Sequence, residues 1–283
     1  MTERVKGSCL MKNIPFSVAM CVYGGDQPAF FQTAVNSILD QQLPPDEVVL
    51  VVDGPVPAEL DAIISQYESM PVFHVIRLKE NRGHGDARRM SLAHCKNDLI
   101  ALMDADDIAL PDRFAKQAAY FAQHPEVTVL GGQILEFINH TENVAGKRTV
   151  PQDDEEIKVY MKKRCPFNQM TVMFRKDAVE AAGGYIDWYC EEDYYLWLRL
   201  ALAGAVFANL PDVLVQVRVG EDMYRRRGGR RYFASEAKLQ KYMLKEKIIS
   251  LPLYVSNVTK RFIVQVLLPN RLRGWVFRRF ARE

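Results

Sequence analysis

The strongest constraint on the fold is a pattern in the first half of the chain, where short apolar runs rich in β-branched residues alternate with segments of helical periodicity. The runs cover residues 15–22, 47–52, 72–77 and 99–103. They do not alternate apolar with polar residues, which is typical of parallel strands covered by helices on both faces. The pattern predicts an α/β domain of the nucleotide-binding type.

The remaining elements follow from periodicity and from helix-ending glycines. Helices are predicted over 28–39, 58–67, 85–95, 114–123, 176–182 and 191–203, and further strands over 128–137 and 169–174. Residues 139–156 show no clear period, and the region from about residue 218 is predicted to be mostly helical. Residues 262–267 carry an apolar stripe that favours packing against the core.

Polar loops follow the four apolar runs. Their sequences are YGGD at 23–26, DGP at 53–55, NRGHG at 81–85 and DADD at 104–107. Each loop alone is ordinary turn chemistry, but ligands of open α/β sheets bind beyond the carboxyl ends of the strands. Four polar loops at one sheet edge therefore predict a ligand site.

Three carboxylates come directly after the last apolar run. Asp104, Asp106 and Asp107 are expected to converge at a strand end, where their mutual repulsion is costly unless a cation is present. Hard oxygen ligands suit Mg²⁺ or Mn²⁺, which bind through one or two carboxylates together with substrate phosphates. The pattern predicts a divalent cation that bridges a nucleotide diphosphate to the protein.

Several classes of protein are excluded by motifs that the chain lacks. It has no G-x-x-x-x-G-K-[ST] loop, and Gly83 and Gly85 lack the third glycine of a dinucleotide-binding fingerprint. No stretch approaches the ~18 apolar residues of a membrane span, and no secretion signal is expected. The five cysteines and five histidines show no C-x-x-C or H-x-x-x-H spacing, so neither a disulfide scaffold nor a zinc site is predicted.

The formal net charge of +2 hides an asymmetry. Residues 218–283 hold 17 basic and 5 acidic side chains, whereas the rest of the chain holds 20 and 30. A basic tail on an acidic body indicates a phosphate-bearing partner, which is anionic lipid, a diphosphate or nucleic acid. Leu272, Trp275, Val276 and Phe280 share a helical face beside crowded arginines, a pattern typical of interfacial helices.

Together these segments resemble family 2 glycosyltransferases of the GT-A fold. The shared motifs are SVAMCVY at 17–23, VVDG at 51–54, NRG at 81–83 with AR at 87–88, MDADD at 103–107 with PDR at 111–113, and EED at 191–193. The resemblance spans roughly residues 14–215. It implies an inverting enzyme that transfers a sugar from a nucleotide diphosphate sugar, usually a UDP-sugar, with Mg²⁺ or Mn²⁺.

The resemblance also implies roles for individual residues. Tyr23, Asp53, Arg88 and Asp104 would line the nucleotide pocket, with Asp53 near the base or ribose. Asp104 and Asp106 would form the D-x-D pair, in which Asp106 binds the metal directly.

Transfer also needs a base for the acceptor hydroxyl, and a carboxylate is expected. Acidic residues at a helix start ordinarily complement the helix dipole, but the resemblance implies that Asp193, with Glu192 beside it, is the catalytic base. Aromatic residues around this triplet are expected to stack on the acceptor sugar or to join the core; they are Trp188, Tyr189, Tyr194, Tyr195 and Trp197.

Arginines beyond the catalytic half are candidates to bind a diphosphate. Arg218, Arg225 and Arg226 precede or flank a Gly-Gly pair and suit the donor's pyrophosphate or a lipid diphosphate acceptor. The expected partners are a UDP-sugar, a lipid-linked saccharide of O-antigen, capsule or exopolysaccharide synthesis, and an anionic membrane surface, with no nucleic acid. The expected location is cytoplasmic, peripheral on the inner face of the bacterial inner membrane.

The predicted organisation is a Rossmann-like GT-A domain over 1–217, a mixed sheet flanked by helices, followed by a basic helical region over 218–283. Its nucleotide half covers about 14–113 and its acceptor half about 114–217. One alternative is a sugar-1-phosphate nucleotidyltransferase, although residues 23–28 lack the basic residue of its first loop. Another is a catalytically inactive α/β module that binds nucleic acid through the basic tail, although the apolar stripes of that tail suit lipid better.

Overall fold

The computed structural model describes residues 14–220 and 228–269. The strands in these ranges are β1 Phe16–Tyr23, β2 Glu47–Asp53, β3 Phe73–Arg77, β4 Leu99–Met103, β5 Ile108–Ala109, β6 Val129–Phe137, β7 Val144–Arg148, β8 Met173–Arg175 and β9 Phe207–Arg218. The helices are α1 Pro28–Leu39, α2 Ala58–Glu68, α3 His84–His94, α4 Arg113–Gln123, α5 Asp154–Tyr160, α6 Lys176–Ala181, α7 Glu192–Leu202, α8 Arg230–Lys245 and α9 Leu251–Phe262.

These strands form one mixed sheet in the order β3-β2-β1-β4-β8-β6-β9-β5, and β7 pairs with β6. The first four are mutually parallel, as predicted, whereas β8 runs antiparallel to both β4 and β6. The predicted α/β fold class, a mixed sheet flanked by helices, is thereby confirmed.

Buried side chains cover both faces of the sheet. On one face Val18 and Leu50 pack with Phe31 of α1, Ile64 of α2 and Phe114 of α4. On the other face Ala19 and Val49 belong to a cluster with residues of α3, α7 and α8; these are Leu92, Trp197, Leu239 and Met243. Two-sided burial explains the uninterrupted apolar character of the strands.

Three segments differ from the sequence-based predictions. Residues 139–156 contain β7 and the start of α5, and the predicted strand at 169–174 is a 3₁₀ turn, Gln169–Thr171, followed by the short β8. The long strand β9 was not predicted, because Pro211 interrupts its apolar pattern. The structure accommodates this proline where the β6–β9 register shifts between Gly131 and Gln133.

The described part of the C-terminal region packs on the core through α8 and α9. The stripe at 262–267 does not, because a π-helical turn, Ile263–Leu267, directs Gln265 inward, where it donates to Glu236. Phe262, Ile263 and Leu267 remain exposed, so the prediction that this stripe packs on the core was wrong. Within the described ranges, no helix combines the length and hydropathy needed to cross a membrane.

Candidate active site

Three neighbouring parallel strands bring their last residues to one edge of the sheet. Tyr23 ends β1 beside Asp53, which ends β2, and Met103 ends β4 beside Met20 of β1. Tyr23 is 47% exposed, so its ring is open to a ligand. Asp104 follows Met103 directly, so the carboxyl edge of the sheet carries Tyr23, Asp53 and Asp104. Ligands of open α/β sheets bind at this edge, and the prediction placed the site here.

The Asp53 carboxylate holds the loop that follows β3. Its Oδ1 accepts a hydrogen bond from the backbone N–H of Arg82 at 2.7 Å, and its Oδ2 accepts one from Gly83 at 3.0 Å. Gly54 permits this close approach, because a Cβ at that position would lie 2.6 Å from the backbone nitrogen of Asn81. Asp53 therefore shapes this edge through the backbone of residues 81–83.

Arg88, on α3, is a cation that is only 3% exposed. Its Nη2 donates to Asp104 Oδ1 at 2.5 Å, and its Nε donates to Nε2 of His84. Burial opposes the charge of Arg88, but Asp104 and, after it, Tyr185, Cys21 and Glu192 together outweigh burial and raise the pKa of Arg88 above its ordinary value. The Arg88 cation, followed by burial, lowers the pKa of His84 to about 4. Arg88 therefore stays charged and fixes the Asp104 carboxylate.

The three aspartates after β4 do not converge as predicted. Asp106 is exposed, whereas Asp107 is buried and its Oδ1 accepts from the backbone N–H of Arg218 at 2.9 Å. In the part of the chain that the structure describes, no three His, Cys, Asp or Glu side chains form a group able to hold a metal. The three-carboxylate site was therefore wrong, because the turn directs Asp107 onto β9 and leaves Asp104 and Asp106 at the edge.

Arg218, the last residue of β9, braces this turn. Its guanidinium carbon lies 3.8 Å from the ring centre of Phe30 and 4.7 Å from that of Phe137, a cation–π contact on each ring. Its Nε donates to the backbone oxygen of Asp106 at 3.3 Å. Arg218 is thus placed beside the aspartate turn, while Arg225 and Arg226 lie outside the described residues.

A further carboxylate, Asp26, lies in the polar loop at 23–26, and the sequence predicts no specific role for it. Its Oδ2 accepts from the backbone N–H of Tyr23 at 2.9 Å. Burial, followed by the charges of Asp106 and Asp104, raises the pKa of Asp26 to about 6. Asp26, Asp104 and Asp106 thus offer hard oxygen donors at one edge, and such donors would fit Mg²⁺ or Mn²⁺.

The acidic triplet at residues 191–193 begins α7 and belongs to the same electrostatic neighbourhood. Burial, followed by the charge of Asp193, raises the pKa of Glu192 to about 7. The charges of Arg88 and Asp104 also act on Glu192, in opposite directions. The structure therefore places the predicted pair Asp193 and Glu192 near the predicted nucleotide residues.

Glu191, the first acid of the triplet, is turned toward the C-terminal helices. It is 4% exposed, and burial followed by the charge of Glu236 raises its pKa well above the ordinary value. Glu236 on α8 pairs with Arg261 on α9 at 3.0 Å. The Glu236–Arg261 pair of α8 and α9 thus lies close to Glu191, at the start of α7.

Gln169, which no sequence pattern singled out, lies between Arg88 and Asp193. With its amide nitrogen toward Asp193, Nε2 donates to Asp193 Oδ2 at 2.7 Å, and Oε1 accepts from Arg88 Nη1 at 3.3 Å. Hydrogen bonding assigns this orientation, because the reverse one places like groups together. Gln169 therefore links the two halves of the site.

The aromatic residues near the triplet divide between core and surface. Trp197 and Tyr194 are fully buried and cannot stack on a sugar. Tyr189 is exposed, and the guanidinium of Arg231 lies 4.0 Å from its ring centre. Tyr189 is therefore the accessible aromatic face among these three.

The known proteins that this chain resembles in sequence are glycosyltransferases. A sequence model of the family described as glycosyl transferase family 2 matches residues 17–182. An uncharacterized glycosyltransferase of Haemophilus influenzae is 40% identical over 95% of this chain and 99% of its own length. The amylovoran biosynthesis glycosyltransferase AmsE of Erwinia amylovora is 39% identical over 81% of this chain and 85% of its own.

A third relative carries a fuller functional name. The UDP-Gal:alpha-D-GlcNAc-diphosphoundecaprenol beta-1,3-galactosyltransferase of Escherichia coli is 33% identical over 95% of this chain and 97% of its own length.

Solved structures share the fold. S. aureus TarS 1–349 in complex with UDP-GlcNAc superposes with a TM-score of 0.67 at 17% identity, covering 93% of this chain and 78% of that one. The mannosyltransferase PcManGT of Pyrobaculum calidifontis, in complex with GDP-Man and Mn²⁺, gives 0.62 at 17% identity, covering 91% and 71%. The chain therefore belongs to glycosyl transferase family 2 and is a glycosyltransferase of the inverting GT-A type.

Proposed function

We propose that the protein transfers a hexose or N-acetylhexosamine from a UDP-sugar to an undecaprenyl-diphosphate-linked saccharide during synthesis of a bacterial surface polysaccharide. The observation that carries this proposal is the buried Arg88, which binds Asp104 at the nucleotide edge and reaches the acid triplet through Gln169. In this proposal, Asp104 serves the donor and Asp193 serves the acceptor, and these contacts connect the two.

The relatives support the substrate classes. The E. coli relative, similar over nearly the whole of both chains, is named for a UDP-galactose donor and a GlcNAc-diphosphoundecaprenol acceptor. The Erwinia relative is named for amylovoran biosynthesis. We extend to this chain the class of donor and acceptor, and leave the sugar open between hexose and N-acetylhexosamine.

The donor nucleotide is assigned to the carboxyl edge of β1, β2 and β4. The exposed ring of Tyr23 offers a surface for the base, and Asp53 presents the loop at 81–83 beside the base or ribose. Arg88 and Asp104 form the wall next to them. Arg218, beside the aspartate turn, is assigned to the diphosphate together with Arg225 and Arg226.

Asp106, with Asp104 beside it, is assigned to hold Mg²⁺ or Mn²⁺. The exposed position of Asp106, two residues after the partly exposed Asp104 at the same edge, supports a cation at this place. When bound, the ion supplies positive charge to the departing diphosphate. The protein's own part is to orient these oxygens through Arg88 and Arg218.

Asp193 is assigned as the base, and Glu192 stands beside it. Asp193 takes the proton of the acceptor hydroxyl while that oxygen bonds to the anomeric carbon. The bond from the anomeric carbon to the diphosphate breaks on the opposite side, so UDP leaves and the configuration inverts. The proton ends on Asp193, and both electrons of the broken bond leave with UDP.

Attachment to a membrane surface is part of the proposal, because a polyprenyl acceptor resides there. Exposed apolar side chains lie along α9 and the following turn: Leu251, Val255, Phe262, Ile263 and Leu267. Residues 228–269 also carry eight basic and two acidic side chains. An apolar surface among positive charges matches an anionic bilayer. The predicted interfacial pattern at 272–280 lies outside the described residues and stays a prediction.

The test is a donor screen on a synthetic GlcNAc-diphospholipid, read by mass spectrometry. Purified protein is incubated with Mn²⁺ and each of several UDP- and GDP-sugars, and Asp193→Asn serves as the inactive control. We expect the acceptor to gain one sugar residue from a UDP-sugar and from no GDP-sugar. Transfer from a GDP-sugar alone, or no transfer from any donor, would contradict the donor assignment.

A further inference from the structure

A continuous series of hydrogen bonds runs from the nucleotide edge to the acid triplet. Arg88 donates through Nη2 to Asp104 and through Nη1 to Gln169 Oε1, and Gln169 Nε2 then donates to Asp193 Oδ2 at 2.7 Å. The Tyr185 hydroxyl lies 3.3 Å from the amide atom that faces Arg88. Because Arg88 is a donor at every nitrogen, the amide oxygen must face it and the amide nitrogen must face Asp193.

The turn that carries Gln169 is fixed by buried polar contacts on either side. Asn168 Nδ2 donates to the backbone oxygen of Gly132 at 2.8 Å. Thr171 Oγ1 accepts from the backbone N–H of Gly132 at 3.0 Å, and the Thr171 carbonyl accepts from Gln117 Nε2 at 2.8 Å. Asn168 and Thr171 are almost fully buried. The backbone of Gln169 is therefore held in place without any contribution from its own amide.

We propose that Gln169 is a positioning residue, which orients the Asp193 carboxylate toward the acceptor hydroxyl while its neutral amide keeps the Arg88 cation from pairing with Asp193 directly. This inference rests on the proposed function, in which Asp193 is the base. A direct arginine–carboxylate pair would favour the charged carboxylate and weaken it as a base. An amide supplies a fixed hydrogen bond without adding a charge.

The two oxygens of Asp193 have different donors. The backbone N–H of Tyr194 donates to Oδ1 at 2.6 Å, and the Gln169 amide donates to Oδ2. Cys165 Sγ lies 3.8 Å from Asp193 Oδ2, the distance of a weak thiol donor. Burial raises the pKa of the Tyr185 hydroxyl, and the charges of Arg88 and Asp193 act on it in opposite directions. Glu191 and Glu192, at the same helix start as Asp193, add negative charge. Of the groups that contact Oδ2, the Gln169 amide is therefore the strong neutral donor and the Cys165 thiol the weak one.

The experiment compares Gln169→Met, which removes both hydrogen bonds at similar volume, with Gln169→Glu, which places a carboxylate against Asp193. The same two substitutions at Gln66, exposed on α2, are the matched controls. For Gln169→Met we expect kcat to fall roughly tenfold to hundredfold, because the base loses its orientation. The donor KM should stay within about twofold, because Arg88 keeps its pair with Asp104 and its contact with His84. For Gln169→Glu we expect the acid limb of the pH profile to move up by about one pH unit, because a like charge raises the pKa of Asp193.

A second measurement does not depend on turnover. The Asp193 carboxylate is titrated by ¹³C NMR in aspartate-labelled protein, with its signal assigned by loss in Asp193→Asn. We expect its midpoint to rise in Gln169→Glu and to stay unchanged in both Gln66 variants. Unchanged kcat and an unchanged Asp193 midpoint in both Gln169 variants would overturn the inference. Full transfer by Asp193→Asn would instead contradict the proposed base, while the NMR titration still decides whether Gln169 controls this carboxylate.

Discussion

Arg88 Nη2 lies 2.5 Å from Asp104 Oδ1, and this ion pair joins α3 to the end of β4 at the edge where the nucleotide is assigned. The arginine is buried, whereas the aspartate is one-quarter exposed. Because the cation is held inside the protein, the carboxylate has a fixed direction at the surface. The pair thus fixes the orientation of a carboxylate at the end of β4.

Arg88→Met should destabilise the protein and weaken UDP binding together, because it leaves Asp104 without its cation. Removing one partner of a buried pair costs on the order of 3 kcal/mol of unfolding free energy. Arg89→Met, on the exposed side of the same helix, is the control and should change neither quantity. Urea unfolding and UDP titration calorimetry measure both. A wild-type UDP affinity in Arg88→Met would remove Arg88 from the nucleotide wall.

Asp106→Asn should abolish the effect of Mn²⁺ on UDP binding with little loss of fold stability, since Asp106 is exposed. Asp107→Ala should lower the fold stability and leave the effect of Mn²⁺ on UDP binding intact. It loses the acceptor for the Arg218 N–H, and an unsatisfied buried donor costs about 1–3 kcal/mol. Thermal shift with UDP, with and without Mn²⁺, separates the two. A normal Mn²⁺ response in Asp106→Asn would rule out its assignment as metal ligand.

Asp193→Asn should lower the rate of transfer by roughly 10²–10⁴, the usual contribution of a positioned general base. UDP affinity should remain unchanged, because Asp193 is assigned to the acceptor side. Single-turnover transfer and UDP calorimetry on the same preparation supply the two readouts. Glu192→Gln should retain most activity, and the opposite ranking of these variants would move the base to Glu192.

Stability should depend on pH through Glu192. Its pKa is raised from 4.5 to about 7 in the folded protein, so the folded state binds this proton more tightly than the unfolded state does. That stabilisation is fully present below pH 4.5 and is lost as pH rises through 7. The unfolding free energy of Glu192→Gln, relative to wild type, should therefore rise between pH 4.5 and about pH 7 and stay level above that. The control is Glu59→Gln, exposed on α2, whose unfolding free energy should differ from that of wild type by the same amount at every pH. A difference that is equally independent of pH for Glu192→Gln would contradict the raised pKa of Glu192.

Replacing Leu251 and Val255 by Ser should reduce binding to anionic vesicles by at least about tenfold, because two apolar side chains no longer enter the bilayer. The control replaces Val159 and Leu202, which are similarly exposed on α5 and α7, and should bind normally. Co-sedimentation with phosphatidylglycerol vesicles measures both. Deleting 270–283 should weaken binding further. Equal binding by all variants would show that neither segment contacts the membrane.

Much of the fold could be predicted because the strands are covered on both faces. The uninterrupted apolar run at 99–103 coincides with β4, and the predicted α2 and α4 differ from the structure by one residue at one end. Strands whose apolar run is interrupted could not be predicted in the same way. Pro211 and Asp212 break the apolar pattern of β9, although the register shift of its partner strand accommodates them.

The site could be predicted where a functional side chain lies at or directly after the end of a strand. Tyr23, Asp53 and Asp104 follow this rule and share one sheet edge. The inward direction of Asp107 depends on β9, which lies about a hundred residues away in sequence. Gln169 acquires its importance from two partners brought together by folding, and no local spacing could have indicated it.

The most direct test of the account is an anomalous difference map, recorded at the manganese absorption edge, from a crystal of the protein with Mn²⁺ and UDP. We predict a peak about 2.1 Å from an Asp106 carboxylate oxygen, the distance typical of a small hard cation. UDP phosphate oxygens should complete the coordination, and the base should lie by Tyr23 and Asp53. A manganese peak and a UDP molecule bound away from both Asp104 and Asp106 would contradict the account.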